Sequence, residues 1–281
     1  WISRSWCALC FSFSETIRRT EDRVTGLDSN KVSDWLIHEV DDYDLASFMP
    51  VAADFGQERF GYVVTPNVDH LVRYSEDPVF REHYRTAEYV LLDSRFAAYA
   101  LRLVKGVRLR VCTGSDLTAA LLATTVRPAD RIVIIGGSPE QAGTIAGLHG
   151  LTNMRHYNPP MGFAKDLEAV ETCLQFIESQ SPFRFCFLAV GSPQQEALAA
   201  LLQARGIARG LALCVGASMD FITGREKRAP HWMQQLALEW LYRLAQNPQR
   251  LAGRYLVRGP RFFGHLRRAR YVPRKNAVGA G

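Results

Sequence analysis

Residues 185–196 read Phe185-Cys186-Phe187-Leu188-Ala189-Val190-Gly191-Ser192-Pro193-Gln194-Gln195-Glu196. Six apolar residues stop at once in a glycine, and a helix-like stretch follows, through Arg205. An apolar run without polar alternation is what a strand buried on both faces shows, and helices cover both faces of a parallel sheet. The unit recurs along the chain. Gly61–Val64 ends in Thr65-Pro66-Asn67, and Tyr89–Leu92 ends in Asp93-Ser94-Arg95. Arg131–Ile135 ends in Gly136-Gly137-Ser138-Pro139, and Leu211–Val215 ends in Gly216-Ala217-Ser218-Met219-Asp220. Strands alternating with helices predict an α/β fold with a Rossmann-like parallel sheet flanked by helices. Ligands of such sheets bind beyond the carboxyl ends of the strands, and the polar clusters all fall there.

Helices are expected over 31–40, 69–85, 96–104, 114–122, 166–180 and 194–205. Beyond Pro230, Trp232, Leu236, Trp240 and Leu244 recur every four residues, which predicts one broad apolar helix face. The organisation expected is an irregular segment 1–30, an α/β core 31–230 and a basic helical appendage 231–281.

Charge separates these regions. The 281 residues carry a net charge of +6. Residues 240–281 hold ten Lys or Arg and no Asp or Glu, leaving 24 basic and 28 acidic residues in 1–239. A cationic tail attached to a mildly acidic body points to a polyanion: nucleic acid, an anionic bilayer or a phosphorylated substrate. On a helix Arg243, Arg250, Arg254, Arg258 and Arg261 would lie on one side, although Pro248 and Pro260 interrupt this stretch. A solvated charged face is the plainer reading, although a soluble helix usually mixes signs.

The cysteines suit a reducing compartment. Cys173, Cys186 and Cys214 sit in apolar patterns as small core residues, and Cys7 and Cys10 form a lone CxxC without a second pair. No run reaches the roughly 18 apolar residues of a membrane span. Trp6–Phe13 is short for a signal peptide and lacks a clean cleavage site.

Asp93 is the leading carboxylate. At the ligand edge it can take a proton from a sugar hydroxyl, a service worth roughly 10²–10⁴ in rate. It can equally cap the helix that follows. Thr65 and Asn67 flank a proline and can hold hydroxyls or merely build a turn. Gly136-Gly137 opens a helix whose N-terminal N–H groups can hold phosphate, yet it is not GxGxxG. Asp220 can serve a ribose hydroxyl or a cap. Asp42-Tyr43-Asp44 has the DxD form of metal–nucleotide sites but precedes the first strand. There is no P-loop, GxSxG or HExxH, and the histidines show no metal spacing.

In order, Thr65-Pro66-Asn67, Asp93, Arg110 leading to Thr113-Gly114-Ser115-Asp116, Gly136-Gly137, Gly191–Glu196 and Gly216–Phe221 resemble the TagA/WecG/CpsF family of glycosyltransferases. Gly224–Pro230, Trp232-Met233 and Leu238–Leu244 extend the likeness, which covers roughly residues 60–256. The resemblance implies a membrane-associated bacterial enzyme that moves a sugar from a UDP-sugar, with inversion, onto a polyprenyl-diphosphate-linked sugar. Teichoic acid, common antigen, capsule and exopolysaccharide are such products. It implies no cofactor and no metal. Asp93 would be the general base with Thr65 and Asn67 beside it. Arg110 and Gln195 would line the pocket, and Asp220 would lie on the nucleotide side. Arg250, Arg254 and Arg258 would engage the diphosphate.

Peripheral attachment to the inner face of the plasma membrane is expected with this, through an anionic membrane surface. No nucleic-acid partner is expected, and homo-oligomerisation is left open. Departures lie near the pocket. Asp-Gly of the family is Asp93-Ser94 here, a Lys before the Gln-Glu pair is Gln194, and a Tyr after glycine is Phe163. They suit a plain hexose donor such as glucose at least as well as an N-acetylmannosamine-type donor. Two other classes compete. A nucleotide-sugar oxidoreductase or epimerase would need GxGxxG where Thr65-Pro66-Asn67 stands. A nucleic-acid-binding protein would rely on the basic tail alone.

Overall fold

The computed structural model describes residues 40–230, 232–233 and 236–268. The helix expected over 31–40 and the Cys7–Cys10 pair fall almost wholly outside them. So does the tail beyond 268, and the side chains of Arg250 and Arg254 also lie outside the described set.

Six strands form one parallel sheet: β1 (Phe60–Val64), β2 (Tyr89–Val90), β3 (Ile132–Ile135), β4 (Met154–Tyr157), β5 (Phe185–Leu188) and β6 (Gly210–Cys214). Their spatial order is β2-β1-β6-β5-β3-β4. The five apolar runs are strands; β1 and β3 end with their runs, while β2, β5 and β6 stop one or two residues earlier. The sixth, β4, reads Met-Arg-His-Tyr and has no apolar run, because it lies at the edge beside β3 and is only partly covered. Successive side chains point to opposite faces. Phe185 and Phe187 therefore join one core with Ile132, Ile134 and Leu213, while Cys186 and Leu188 join the other with Val133, Ile135 and Cys214.

The helices that cover the sheet are α1 (Leu45–Asp54), α2 (Val68–Glu76), α3 (Pro78–Arg85), α4 (Arg95–Lys105), α5 (Gly114–Ala120), α6 (Pro139–His149), α7 (Leu167–Ser179), α8 (Gln194–Arg205) and α9 (Ser218–Ile222). The single helix expected over 69–85 is two. Asp77 caps the second helix by accepting from the Val79 and Phe80 N–H groups, and Pro78 occupies its first position, where its missing N–H costs nothing.

Past Pro230 the continuous apolar helix is interrupted. Ala237 takes a φ of 58°, which few non-glycine residues adopt, and the chain restarts as α10 (Glu239–Gln246) and α11 (Pro248–Ala252). A wider π-helical turn, Gly253–Arg258, leads into α12 (Gly259–Arg268). The arginines from 243 to 261 thus do not share one side of one helix. Phe262 and Leu266 are fully buried in the core that also holds Leu71, Leu101 and Tyr62, so α12 packs into the body of the protein.

Candidate active site

The register aligns the strand ends. Val64 pairs with Cys214, Cys214 with Leu188, and Leu188 with Ile135. The residues that follow, Thr65, Val215, Ala189 and Gly136, therefore emerge along one line. Two cavities lie on this edge.

The first, of 290 Å³, is lined by Gly137, Ser138, Gln141, Asn158, Ala189, Gly216, Met219, Asp220 and Arg225. It sits where the chain leaves two adjacent strands in opposite directions. From β3 it runs outward to β4, and from β5 it runs inward to β6. That switch point is where doubly wound sheets bind their ligands. Gly136 and Gly137 have φ values of 95° and 73°. A Cβ on Gly136 would lie 2.8 Å from the Ala189 carbonyl oxygen, so only glycine lets these two strand ends approach.

Gln141 is the hub of this cavity. Its Oε1 accepts from the Ser138 N–H at 3.0 Å and from Arg225 Nη1 at 3.1 Å. Its Nε2 donates to Asp220 Oδ1 at 2.8 Å. Of the candidates, Asp220 and Gly137 line this cavity; Gln141 and Arg225, which line it too, were not among them. The signal for Gln141 was present, since Ser138 and Gln141 form a capping box.

The second cavity, of 330 Å³, lies over β1 and β2. Asn67, Val68, Asp93, Ser94, Arg95, Phe96 and Thr113 line it from the sheet side. Ala237, Glu239, Trp240, Arg243, Gly259, Pro260 and Phe263 close it from the C-terminal segment. Asp93 does not cap α4; Ser94 does, accepting from the Ala97 N–H at 3.1 Å. The Asp93 carboxylate instead accepts from the Gly114 N–H at 3.2 Å and faces the cavity. Burial pushes its pKa up to about 7. The Gly114 bond and Arg243 pull the other way, and Glu239 adds to the rise. A carboxyl poised near neutrality in a cleft matches the requirement for a general base.

Thr65 donates to the Cys214 carbonyl at 3.2 Å and is buried. It ties the end of β1 to the end of β6, its neighbour in the sheet. Asn67 lines the Asp93 cavity and also caps α2, accepting from the Asp69 and His70 N–H groups. Arg243 stacks over Phe221 at 5.4 Å and pairs with Glu226 at 3.6 Å. Its buried Nε finds no acceptor among the described residues. Arg228 stacks on Phe221 and pairs with Asp116. The Gly224–Pro230 loop therefore braces α5 against α10.

Three candidates stand elsewhere. Arg110 is exposed and lies 3.9 Å from Asp44 Oδ2, and its N–H donates to Asp42 Oδ1 at 2.8 Å. It lines neither cavity. Gln195 is buried, accepts from the Gly216 N–H at 2.9 Å and donates to Glu196 at 3.0 Å. It holds the rim of the first cavity from behind. Arg258 Nε lies 2.9 Å from Asp69 Oδ1. The Asp42 and Asp44 carboxylates are spent on Arg110 and on capping α1, and no group of three metal-ligating side chains occurs among the described residues.

The family model described as "Glycosyl transferase WecG/TagA/CpsF family" matches residues 34–276. Both cavities and every strand fall inside that span. A cavity at the switch point lies on the same sheet edge as a second that holds a carboxyl whose pKa burial raises to about 7. This arrangement fits transfer of a sugar from a nucleotide donor to a lipid-linked acceptor. The chain belongs to the WecG/TagA/CpsF family of glycosyltransferases, enzymes of cell-surface polysaccharide synthesis.

Proposed function

We propose that the chain is an inverting hexosyltransferase. It moves an N-acetylmannosamine-type sugar or a plain hexose such as glucose from a UDP-sugar to a polyprenyl-diphosphate-linked acceptor. The observation that carries this is Asp93: a carboxylate left free by the Ser94 cap, raised to about 7, and facing a cavity. The UDP moiety sits in the first cavity, against the Gly137 N–H, Asp220 and Arg225. The acceptor sugar sits in the second. Asp93 takes the proton of the acceptor hydroxyl. That oxygen forms the new bond to the anomeric carbon as the bond to the diphosphate oxygen breaks, so configuration inverts and UDP departs. Arg243, with a buried Nε in need of an acceptor, supplies charge to the leaving diphosphate.

The core and the C-terminal segment divide this work. The core holds the donor, and residues beyond 230, with Arg250, Arg254 and Arg258, serve the diphosphates and an anionic membrane surface. No helix among the described residues is long and apolar enough to cross a membrane, and peripheral attachment to the inner face of the plasma membrane suits the acceptor. The test is transfer from a panel of UDP-sugars to a short-chain lipid diphosphate sugar, with product anomers assigned by NMR. Retention of configuration, or no transfer from any UDP-sugar, would overturn it.

A further inference from the structure

Two stretches of this chain, far apart in sequence, lack any acidic residue. One is 240–281. The other is 94–115, which carries Arg95, Arg102, Lys105, Arg108 and Arg110. The fold sets them side by side. Phe96 packs on the rings of Phe262 and Phe263, with centroids 6.4 and 6.0 Å away. Lys105 Nζ donates to the Arg267 carbonyl at 2.7 Å. The acids nearest α12 lie on its other side, where Asp69 and Glu76 of α2 engage Arg258, Arg261 and His265.

The outward surface has a definite composition. Tyr99, Arg102 and Leu103 share one face of α4, being spaced three and four residues apart. Tyr99 is 59% and Leu103 67% exposed, and Phe263 on α12 is 46% exposed. Arg102, Arg267 and Arg268 are exposed beside them. A lone exposed leucine is ordinary. Apolar side chains set among cations, on two segments that carry no acid of their own, are what an interfacial helix presents to lipid. The surface also runs into the mouth of the second cavity, since Phe96 and Phe263 line it. A second copy of the chain would bring like charges together here, which opposes self-association.

We infer that the face formed by Tyr99, Arg102 and Leu103 of α4, with Phe263 and Arg267 of α12, rests on an anionic lipid bilayer and sets the mouth of the Asp93 cavity at the headgroups. This inference builds on the lipid-linked acceptor proposed above and adds a contact element outside the C-terminal segment.

The test is co-sedimentation of the full chain with vesicles of equal parts phosphatidylglycerol and phosphatidylcholine. Arg102→Ala should lower partitioning about fivefold, and Tyr99→Ser with Leu103→Ser about tenfold or more. Binding should weaken with salt. None of these side chains lines a cavity, so transfer to a water-soluble acceptor should be unchanged in all of them, which also shows that they fold. Wild-type partitioning in both variants would overturn the inference. So would a dimer in sedimentation velocity that Leu103→Ser dissociates, with no vesicle binding. If the wild-type chain binds vesicles through this face yet transfers no sugar from any UDP-sugar, the bilayer contact stands and the proposed activity falls.

Discussion

Gly114 donates its N–H to Asp93 Oδ2 at 3.2 Å and has no room there for a side chain. A Cβ at that position would lie 2.9 Å from Thr65 Oγ1 and 3.6 Å from Asp93 Oδ2. One glycine thus sits between the candidate base and the buried threonine at the end of β1. Gly114→Ala should push the Thr65 hydroxyl away from the Cys214 carbonyl, while the new methyl only touches Asp93. We expect turnover to fall by about tenfold or more, because small misplacements at a reacting centre are costly. Steady-state kinetics with a circular dichroism control would check it. Unchanged turnover would show that the position tolerates a methyl group.

Asp93→Asn should lower turnover by about 10²-fold or more while UDP still binds. In the wild type, activity should rise as pH passes through about 7, where Asp93 gives up its proton, and the variant should lose that limb. Stability moves in the opposite sense. The folded pKa is raised, so the folded chain keeps a proton that the unfolded chain releases near the ordinary carboxylate value. Stability is therefore lost as pH rises from the unfolded to the folded pKa. Asn carries no such penalty, so the variant should melt higher than wild type by a few degrees at about pH 8 and show little gain at about pH 4. An equal difference at both would detach the pKa shift from folding.

The strands were legible because both faces of the sheet are covered, which forces continuous apolar runs such as Phe185–Leu188. The edge strand Met154–Tyr157 was not, since it needs no such run. Asp93 was legible as a strand-end carboxylate, but its freedom from capping was not: Asp93 and Ser94 are both good caps, and only the backbone geometry chooses Ser94. Arg110 and Gln195 sit in motifs that suggest ligand contact. The sequence does not show that Arg110 turns to Asp44 or that Gln195 spends its carbonyl on the Gly216 N–H. The interruption at Ala237 also escapes pattern reading, because nothing about alanine favours φ of 58°.

The DxD-like stretch should prove structural. Asp44→Ala removes the carboxylate that accepts from the Ser47 N–H and hydroxyl at the start of α1, at a cost of about 1 kcal/mol. We expect the variant to melt lower with near-normal turnover, and wild-type turnover to survive EDTA. Complete loss in EDTA, restored by Mg²⁺ or Mn²⁺, would return Asp42 and Asp44 to the chemistry.

Cutting the chain before α12 should damage the body as well as any surface role. Phe262 and Leu266 are both fully buried, and emptying a phenylalanine site costs about 3–5 kcal/mol. Phe262→Ala should lower the melting temperature by roughly 10 °C, measured by thermal denaturation. Arg258→Ala, which strips Asp69 of its guanidinium neighbour, should cost about 1–2 kcal/mol. A truncated chain that melts like the intact one would make α12 a loosely held extension.

Gln141 offers the sharpest separation of binding from chemistry. Its amide is read in both senses: Oε1 accepts from the Ser138 N–H and Arg225, while Nε2 donates to Asp220. Gln141→Glu keeps the size and the acceptor but loses the donor, and it sets a carboxylate against Asp220. The two acids would repel each other or share a proton, and Asp220 would turn from its present place at the cavity wall. The Asp93 cavity shares no lining residue with this one, so its geometry should be kept. We therefore expect the Kd for UDP, measured by calorimetry, to rise about tenfold or more, the KM for the UDP-sugar to rise with it, and kcat to stay within about threefold. Gln141→Leu removes the polar partners without adding charge and should weaken UDP less if repulsion is the main cost. A fall in kcat at unchanged UDP affinity would mean that this cavity does not hold the nucleotide, and the donor would then have to be placed over β1 and β2 beside Asp93.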